Sequence, residues 1–218
     1  MRATPRDTAY TDRSDAGDRL GAELRAYADR SDVVVLGLVR GGVPVASRVA
    51  AALRAPLDVM VVRKLGVPWS PEVAFGAVGP GGVAVHNPEV EGYLSTSDVE
   101  SVTRTESEEL VRREQRYRNG LPPLELQGRV AIIVDDGLAT GASARAAVAV
   151  ARRLGSELVV VAVPVGAAAA VGILRGEADQ VVCPLSPPDF AAVSSFYQHF
   201  PQTTDDEVVA LLAAARTR

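Results

Sequence analysis

The stretch Arg129 to Val150 reads RVAIIVDDGLATGASARAAVAV. It joins an apolar run, two adjacent carboxylates, a loop of small residues and an alanine-rich segment. Val130 to Val134 are mostly β-branched, too few for a buried helix and suited to a strand covered on both faces, as in a parallel sheet. The strand ends at Asp135. Beyond it, Gly137 and Gly141 permit backbone conformations that a Cβ would forbid, while Ala139, Thr140, Ala142 and Ser143 keep the loop thin enough for a ligand to touch main chain. A helix is expected to start near Ala142 and run to Leu154.

Such a helix start presents several unpaired N–H donors and roughly half a positive charge, worth about 0.3–1 kcal/mol per anionic charge. A phosphate monoester fits there. Asp135 and Asp136, at the strand's carboxyl end, can accept hydrogen bonds from vicinal hydroxyls, each charge-assisted bond contributing roughly 1.5–3 kcal/mol. Phosphate and sugar hydroxyls gripped by one loop describe a ribose 5-phosphate; the plainer alternative is a βα turn with an acidic tip in solvent. A Walker phosphate loop is excluded because no Gly-Lys-Ser/Thr ending is present. A dinucleotide fingerprint is excluded as well, since its three glycines should open the first βα turn with an acidic residue about 20 positions later.

The stretch resembles the signature of the type I phosphoribosyltransferases: four apolar residues, two acidic residues, two variable residues and a short phosphate loop, here ATGAS. The resemblance implies that Asp135 and Asp136 hold the ribose hydroxyls of phosphoribosyl pyrophosphate (PRPP) and that Ala139, Thr140, Gly141, Ala142 and Ser143 hold its 5-phosphate. Mg²⁺ would arrive with PRPP and lie near Asp135 and Asp136, with no direct protein-held metal site. Gly137 departs from the pattern, in which a larger apolar residue is commoner.

A second stretch, GLVRGGVPVA, repeats the order of strand, glycine turn and helix start about 95 residues earlier. Val33 to Val39 is a buried-strand pattern, and Pro44 suits the first turn of a helix opening at Val43. Two glycines at such a junction more often mark tight packing. GLVRGGVPVA also resembles the family's pyrophosphate loop, which implies that the Gly41 and Gly42 amides and the Arg40 charge meet pyrophosphate, and that the Val39–Arg40 peptide is cis. Arg63 and Lys64, after a third strand Leu57 to Val62, would join them at the carboxyl edge of the sheet.

Composition limits the alternatives. At 218 residues and 47% apolar content the chain can bury one substantial α/β core. No apolar run of 18 residues and no signal-like start are present, so a soluble, cytoplasmic protein is expected. A net charge of −4 without a basic cluster argues against nucleic acid as the main partner. Cys183 is the single cysteine, and His86 and His199 lie too far apart in sequence to suggest metal ligation.

Elsewhere, Asp15 is a candidate helix cap ahead of Leu20, Leu24 and Tyr27, and the preceding TDRSDAG resembles the opening of a group of uncharacterised phosphoribosyltransferase-like proteins. Val73 to Val78 and Val83 to Val85 flank GPGG as a hairpin, making PWSPEVAFGAV the candidate lid. Trp69 and Glu72 on it would face substrate or anchor the ribbon. Ser97 and Glu100 form a capping box for a charged helix stopped by Asn119 and Gly120. Its apolar stripe is thin, so it is expected to cover the domain as a hood or to meet a second subunit in a homodimer. Its arginines, Arg112, Arg113, Arg116 and Arg118, suit a solvated face more than a polyphosphate site. Further strands at Leu158 to Val163 and Val181 to Cys183 alternate with a short helix at Ala167 to Leu174. Phe190, Phe196 and Tyr197, in a chain with 5% aromatics, are candidates for stacking on a base, with packing onto the sheet as the alternative.

The expected architecture is one α/β domain over residues 1–218: a parallel-sheet core with helices on both faces, a β-hairpin lid, and a helical insertion over 86–127. The expected activity is transfer of a nitrogenous base onto PRPP with release of pyrophosphate. Asp135, Asp136 and Arg40 would carry the chemistry, and Arg63, Lys64 and the Gly41–Gly42 amides would assist pyrophosphate departure. A non-catalytic nucleotide sensor on the same fold stays open, as does a nucleotide hydrolase or phosphorylase, although no histidine falls in the loops named. Family members that use hypoxanthine and guanine carry an aspartate where this chain has Ala139, which implies that these purines are poor substrates.

Overall fold

The computed structural model describes residues 9–118 and 120–217. In chain order the elements are α1 (Arg13–Glu23), β1 (Val33–Leu38), α2 (Gly42–Leu53), β2 (Leu57–Met60), β3 (Arg63–Val67), β4 (Ser70–Gly79), β5 (Val83–His86) and α3 (Pro88–Glu91). There follow α4 (Thr96–Arg118), β6 (Val130–Val134), α5 (Ala142–Arg153), β7 (Leu158–Ala162), α6 (Ala168–Leu174), β8 (Gln180–Val182) and α7 (Asp205–Arg216). Five strands form a parallel sheet in the order β2-β1-β6-β7-β8, and β3-β4-β5 form a separate antiparallel ribbon.

Strand alternation divides the core between two faces of the sheet. Val33, Val35, Ile132, Val134 and Val160 pack with α1 and α2, while Val34, Leu36, Ile133, Val159 and Val161 pack with α5 and α6. Every residue of β1 and β6 is buried, which explains why both read as unbroken apolar runs rather than as alternating ones. The register sets Gly37 beside Val134, so the turns following β1 and β6 emerge together at the carboxyl edge.

Several expected details move. The cap of α1 is Asp12, whose carboxylate accepts from the N–H groups of Ser14 and Asp15, so the helix begins three residues earlier than an Asp15 cap would place it. Asp15 lies in its first turn. Helix α4 is capped by Ser95 with Asp98 rather than by Ser97 with Glu100: the Asp98 N–H donates to Ser95 Oγ at 3.2 Å, and Ser95 Oγ donates to the Asp98 carboxylate at 2.6 Å. The expected stop holds at Gly120, which has a φ of 76°; Asn119 lies outside the described residues.

The third strand is shorter than expected. It leaves the parallel sheet after Met60, and Arg63 and Lys64 instead open β3, pairing with Val78 and Ala77 of β4. The ribbon is held between α4 and α5, with Phe75 and Val78 buried toward α4. Its tip projects: Trp69 is 66% exposed and Val73 46%. Trp69 therefore does not anchor the ribbon. Helix α7, to which no element is assigned from the sequence alone, is capped by Thr204 and buries Val208 and Leu212 in the cluster shared with α4.

Candidate active site

The sheet brings the two glycine turns face to face. A Cβ on Gly41 would stand 2.1 Å from Asp136 Oδ2, and one on Gly42 would stand 2.5 Å from the Val134 carbonyl oxygen and 3.1 Å from Asp135 Oδ1. These glycines are needed because the acidic pair occupies the space a side chain would take. The tight packing that the sequence allowed for at Gly41–Gly42 is present. The Val39–Arg40 peptide is cis, as the resemblance implied.

In the second turn, Asp135 Oδ1 accepts the Asp136 N–H at 2.9 Å, which fixes the pair at the strand end. Burial pushes the Asp135 carboxyl well above its ordinary range, and the adjacent Asp136 charge adds to this; burial also raises Asp136, opposed by Arg13. Leu138 ties the loop down, its N–H donating to Val165 O at 2.9 Å and its carbonyl accepting from Ala167 at 2.8 Å. Gly137 replaces the commoner apolar residue because a Cβ there would lie 2.6 Å from Val193 Cγ1. Ala139, Thr140 and Ser143 are exposed, and Gly141 caps α5 with φ 73°. The first bond closing α5 runs from the Arg145 N–H to Gly141 O at 2.9 Å, so the N–H groups of Ser143 and Ala144 precede it at the open end of the helix.

Arg13, absent from the residues singled out in the sequence, is bound to this centre. Its Nε donates to Asp136 Oδ2 at 2.9 Å, a second guanidinium nitrogen lies 2.8 Å from the same oxygen, and both side chains are largely buried. A further nitrogen donates to Pro201 O at 2.6 Å, and the guanidinium lies 3.8 Å from the centre of the Phe200 ring. Arg13 sits within TDRSDAG, a segment already noted for its resemblance. No spacing rule joins it to an aspartate 123 positions away.

The other expected contacts divide. Side-chain alternation in β3 sends Arg63 to Glu106 of α4, with Nε 2.6 Å from its carboxylate, and Lys64 to the opposite face, where it lines a cavity of about 410 Å³ with Ala74, His86, Ala142 and Arg145. Ala142 also belongs to the expected phosphate loop, so that cavity adjoins it. The Arg40 guanidinium turns toward α7, 3.7 Å from Asp205. Phe196 and Tyr197 follow the packing alternative rather than offering free stacking surfaces, for both are buried in an aromatic cluster: Phe196 stacks on Phe190 at 5.5 Å, and Tyr197 packs against Tyr10 and Phe200. Tyr197 Oη donates to the Asp136 carbonyl at 2.6 Å, so the tail supports the acidic pair from behind. Phe190 keeps part of its surface open.

Among the described residues, no three His, Cys, Asp or Glu side chains converge as a metal cage. No helix among the described residues is long and apolar enough to cross a membrane.

The fold is an α/β parallel sheet with an acidic pair and an open helix start at its carboxyl edge. The family model described as "Phosphoribosyl transferase domain" matches residues 8–197, and the chain belongs to that family. Two Mycobacterium tuberculosis proteins, one from each of two strains, are named provisionally as phosphoribosyl transferases; each is 51% identical over 208 residues, 94% of this chain. The chain spans about half the length of these curated relatives, 47%. The crystal structure of TT1426 from Thermus thermophilus is 43% identical, with a TM-score of 0.87 over 94% of this chain and 98% of that one.

Proposed function

We propose that the protein transfers the ribose 5-phosphate of PRPP to a nitrogenous base, releasing pyrophosphate. The observation that carries this reading is the meeting of Asp135 and Asp136 with the Gly41–Gly42 turn, a few residues from the open start of α5. In this reading the 5-phosphate takes the N–H groups of the 139–143 loop, and Asp135 and Asp136 take the ribose hydroxyls. Fixing the sugar while its anomeric carbon becomes cationic places two carboxylates where positive charge develops. The amides beside Gly41 and Gly42 receive the departing pyrophosphate, and Arg40 adds charge by releasing its 3.7 Å contact with Asp205. Mg²⁺ arriving with PRPP near Asp135 and Asp136 would offset part of its charge. Lys64 reaches the phosphate end through the cavity it shares with Ala142, whereas Arg63 must leave Glu106 to take part.

Arg13 is a positioning residue in this scheme. It holds Oδ2 of Asp136 and leaves Oδ1 for a ligand hydroxyl. The exposed ribbon tip around Trp69 is the part free to cover the site.

The base is read away from Ala139, because alanine cannot move a proton at the purine, a contribution typically worth about 10²–10⁴-fold in rate. The test is a screen of nitrogenous bases for PRPP-dependent pyrophosphate release. Release with a base other than hypoxanthine or guanine, and little with those two, is expected. Efficient turnover of either purine would contradict the assignment of base reading elsewhere, and no release with any base would favour a ligand sensor over an enzyme.

A further inference from the structure

Four arginines converge on a cavity of which the reading above uses only Arg40. It has a volume of about 210 Å³ and is lined by Arg40, Arg112, Arg113, Arg116, Tyr117 and Asp205. Positions 112, 113 and 116 share one side of α4, Arg40 comes from the turn after β1, and Asp205 from the start of α7. On sequence alone these α4 arginines suit a solvated face. Arg112 and Arg116 do stay exposed, yet the fold sets them with Arg113 and Arg40 around one partly open cavity.

Their carboxylates are too few for them. Glu109 is shared, accepting from Arg112 Nε at 2.7 Å and from Arg113 Nε at 2.7 Å. Asp205 is also shared, lying 3.2 Å from Arg116 and 3.7 Å from Arg40 while accepting the Tyr117 hydroxyl at 2.6 Å. Asp206, almost wholly exposed, lies 3.3 Å from Arg116. Four guanidiniums thus meet three carboxylates. Arg48, by contrast, has both oxygens of Asp18 to itself at 2.7 and 2.8 Å. Arg112 spends its fork on both oxygens of Glu109, at 2.7 and 2.8 Å, whereas Arg113 meets that carboxylate through Nε and Arg40 reaches Asp205 only at 3.7 Å; guanidinium groups so placed around a cavity match the oxygens of a phosphate group in charge and in planar geometry.

We propose that this cavity is a second anion site that takes a phosphate-class oxyanion, either inorganic or the phosphate chain of a nucleotide. Neither the acidic pair nor the 139–143 loop lines it, so it lies apart from the ribose end, but Val39 and Arg40 of the turn proposed for pyrophosphate do line it, so the inference rests in part on that reading. Arg40 connects the two. An anion that draws Arg40 from Asp205 acts on the residue preceding Gly41, giving the cavity leverage over the turn that faces Asp136.

The test follows arginine Nε–H signals by ¹H–¹⁵N NMR while inorganic pyrophosphate, and in a separate arm ATP, is added without PRPP. Saturable shifts at Arg112, Arg113 and Arg116 are expected, with Arg30 and Arg54, paired to Asp32 and Asp29 on the surface, unmoved. The shifts should persist in Asp135→Asn/Asp136→Asn and weaken roughly tenfold or more in Arg112→Gln/Arg116→Gln, as loss of charge-assisted bonds implies. Should that double variant lose its fold, Arg112→Gln alone, whose side chain is largely exposed, repeats the comparison. Tighter binding of ATP would identify a nucleotide site, and tighter binding of pyrophosphate an inorganic one. Uniform shifts that include Arg30 and Arg54, no shift with either anion, or loss of the shifts in the aspartate variant would overturn the proposal.

Discussion

The turns after β1 and after β6 follow the same order of apolar strand, glycine and helix, yet they use glycine for different reasons. Gly41 and Gly42 are required by what stands in front of them, the Asp136 carboxylate and the Val134 carbonyl. Gly141 is required by its own backbone, with φ 73° and nearest foreign atom 3.4 Å from a Cβ. One turn is therefore a filler shaped by its neighbour, and the other is a cradle kept open. Arg13 holds the junction between them, fastening the carboxylate that Gly41 makes room for.

Arg13→Ala should have the largest effect on stability. It leaves Asp136 unpaired beside Asp135 in a largely buried setting, a change worth roughly 3–5 kcal/mol when a buried pair is broken from one side. Urea unfolding measures it. The double variant Arg13→Ala/Asp136→Asn should recover much of the loss, and purely additive losses would show that the two residues do not act as a pair.

Gly42→Ala comes next. The collision is with the Val134 carbonyl, which cannot swing aside, so a loss at the upper end of about 1–3 kcal/mol is expected. Gly141→Ala carries only left-handed backbone strain, roughly 1–2 kcal/mol. If Gly141→Ala proves the more damaging in unfolding experiments, the contrast between filler and cradle is wrong.

Asp135→Asn sharpens the contrast through pH. The folded carboxyl is raised, so between the unfolded value near 3.9 and the folded value the native state binds more protons, and stability falls as pH rises. The asparagine variant lacks this penalty. It should unfold at higher urea than the wild type at about pH 7, with the advantage shrinking toward about pH 4 and gone below it. An advantage independent of pH would contradict the burial account.

These contrasts also show what the sequence could carry. The parallel strands and both βα turns were legible because each is local: a β-branched run, an acidic pair and a glycine turn follow one another in the chain. The hairpin was legible for the same reason. The start of β3 was not, since nothing local tells Arg63 and Lys64 that the chain has already left the parallel sheet after Met60. Arg13 was hidden by distance along the chain. Packing of Phe196 and Tyr197 was one of two readings the sequence allowed, but their partners, Tyr10 and the Asp136 carbonyl among them, were not legible because they come from remote segments. Helix α7 carried a local signal, Thr204 ahead of Asp205, Asp206 and Glu207 with Val208 and Leu212 four apart, and was readable in principle.

The central claim is that the acidic pair binds the ribose of PRPP, and isothermal titration of PRPP with Mg²⁺ into the wild type and into Asp135→Asn/Asp136→Asn tests it directly. The account predicts saturable binding by the wild type and a loss of at least about 1.5 kcal/mol in the variant, the low end for one charge-assisted hydrogen bond, with the fold retained by circular dichroism. Equal affinity in a folded variant would contradict it.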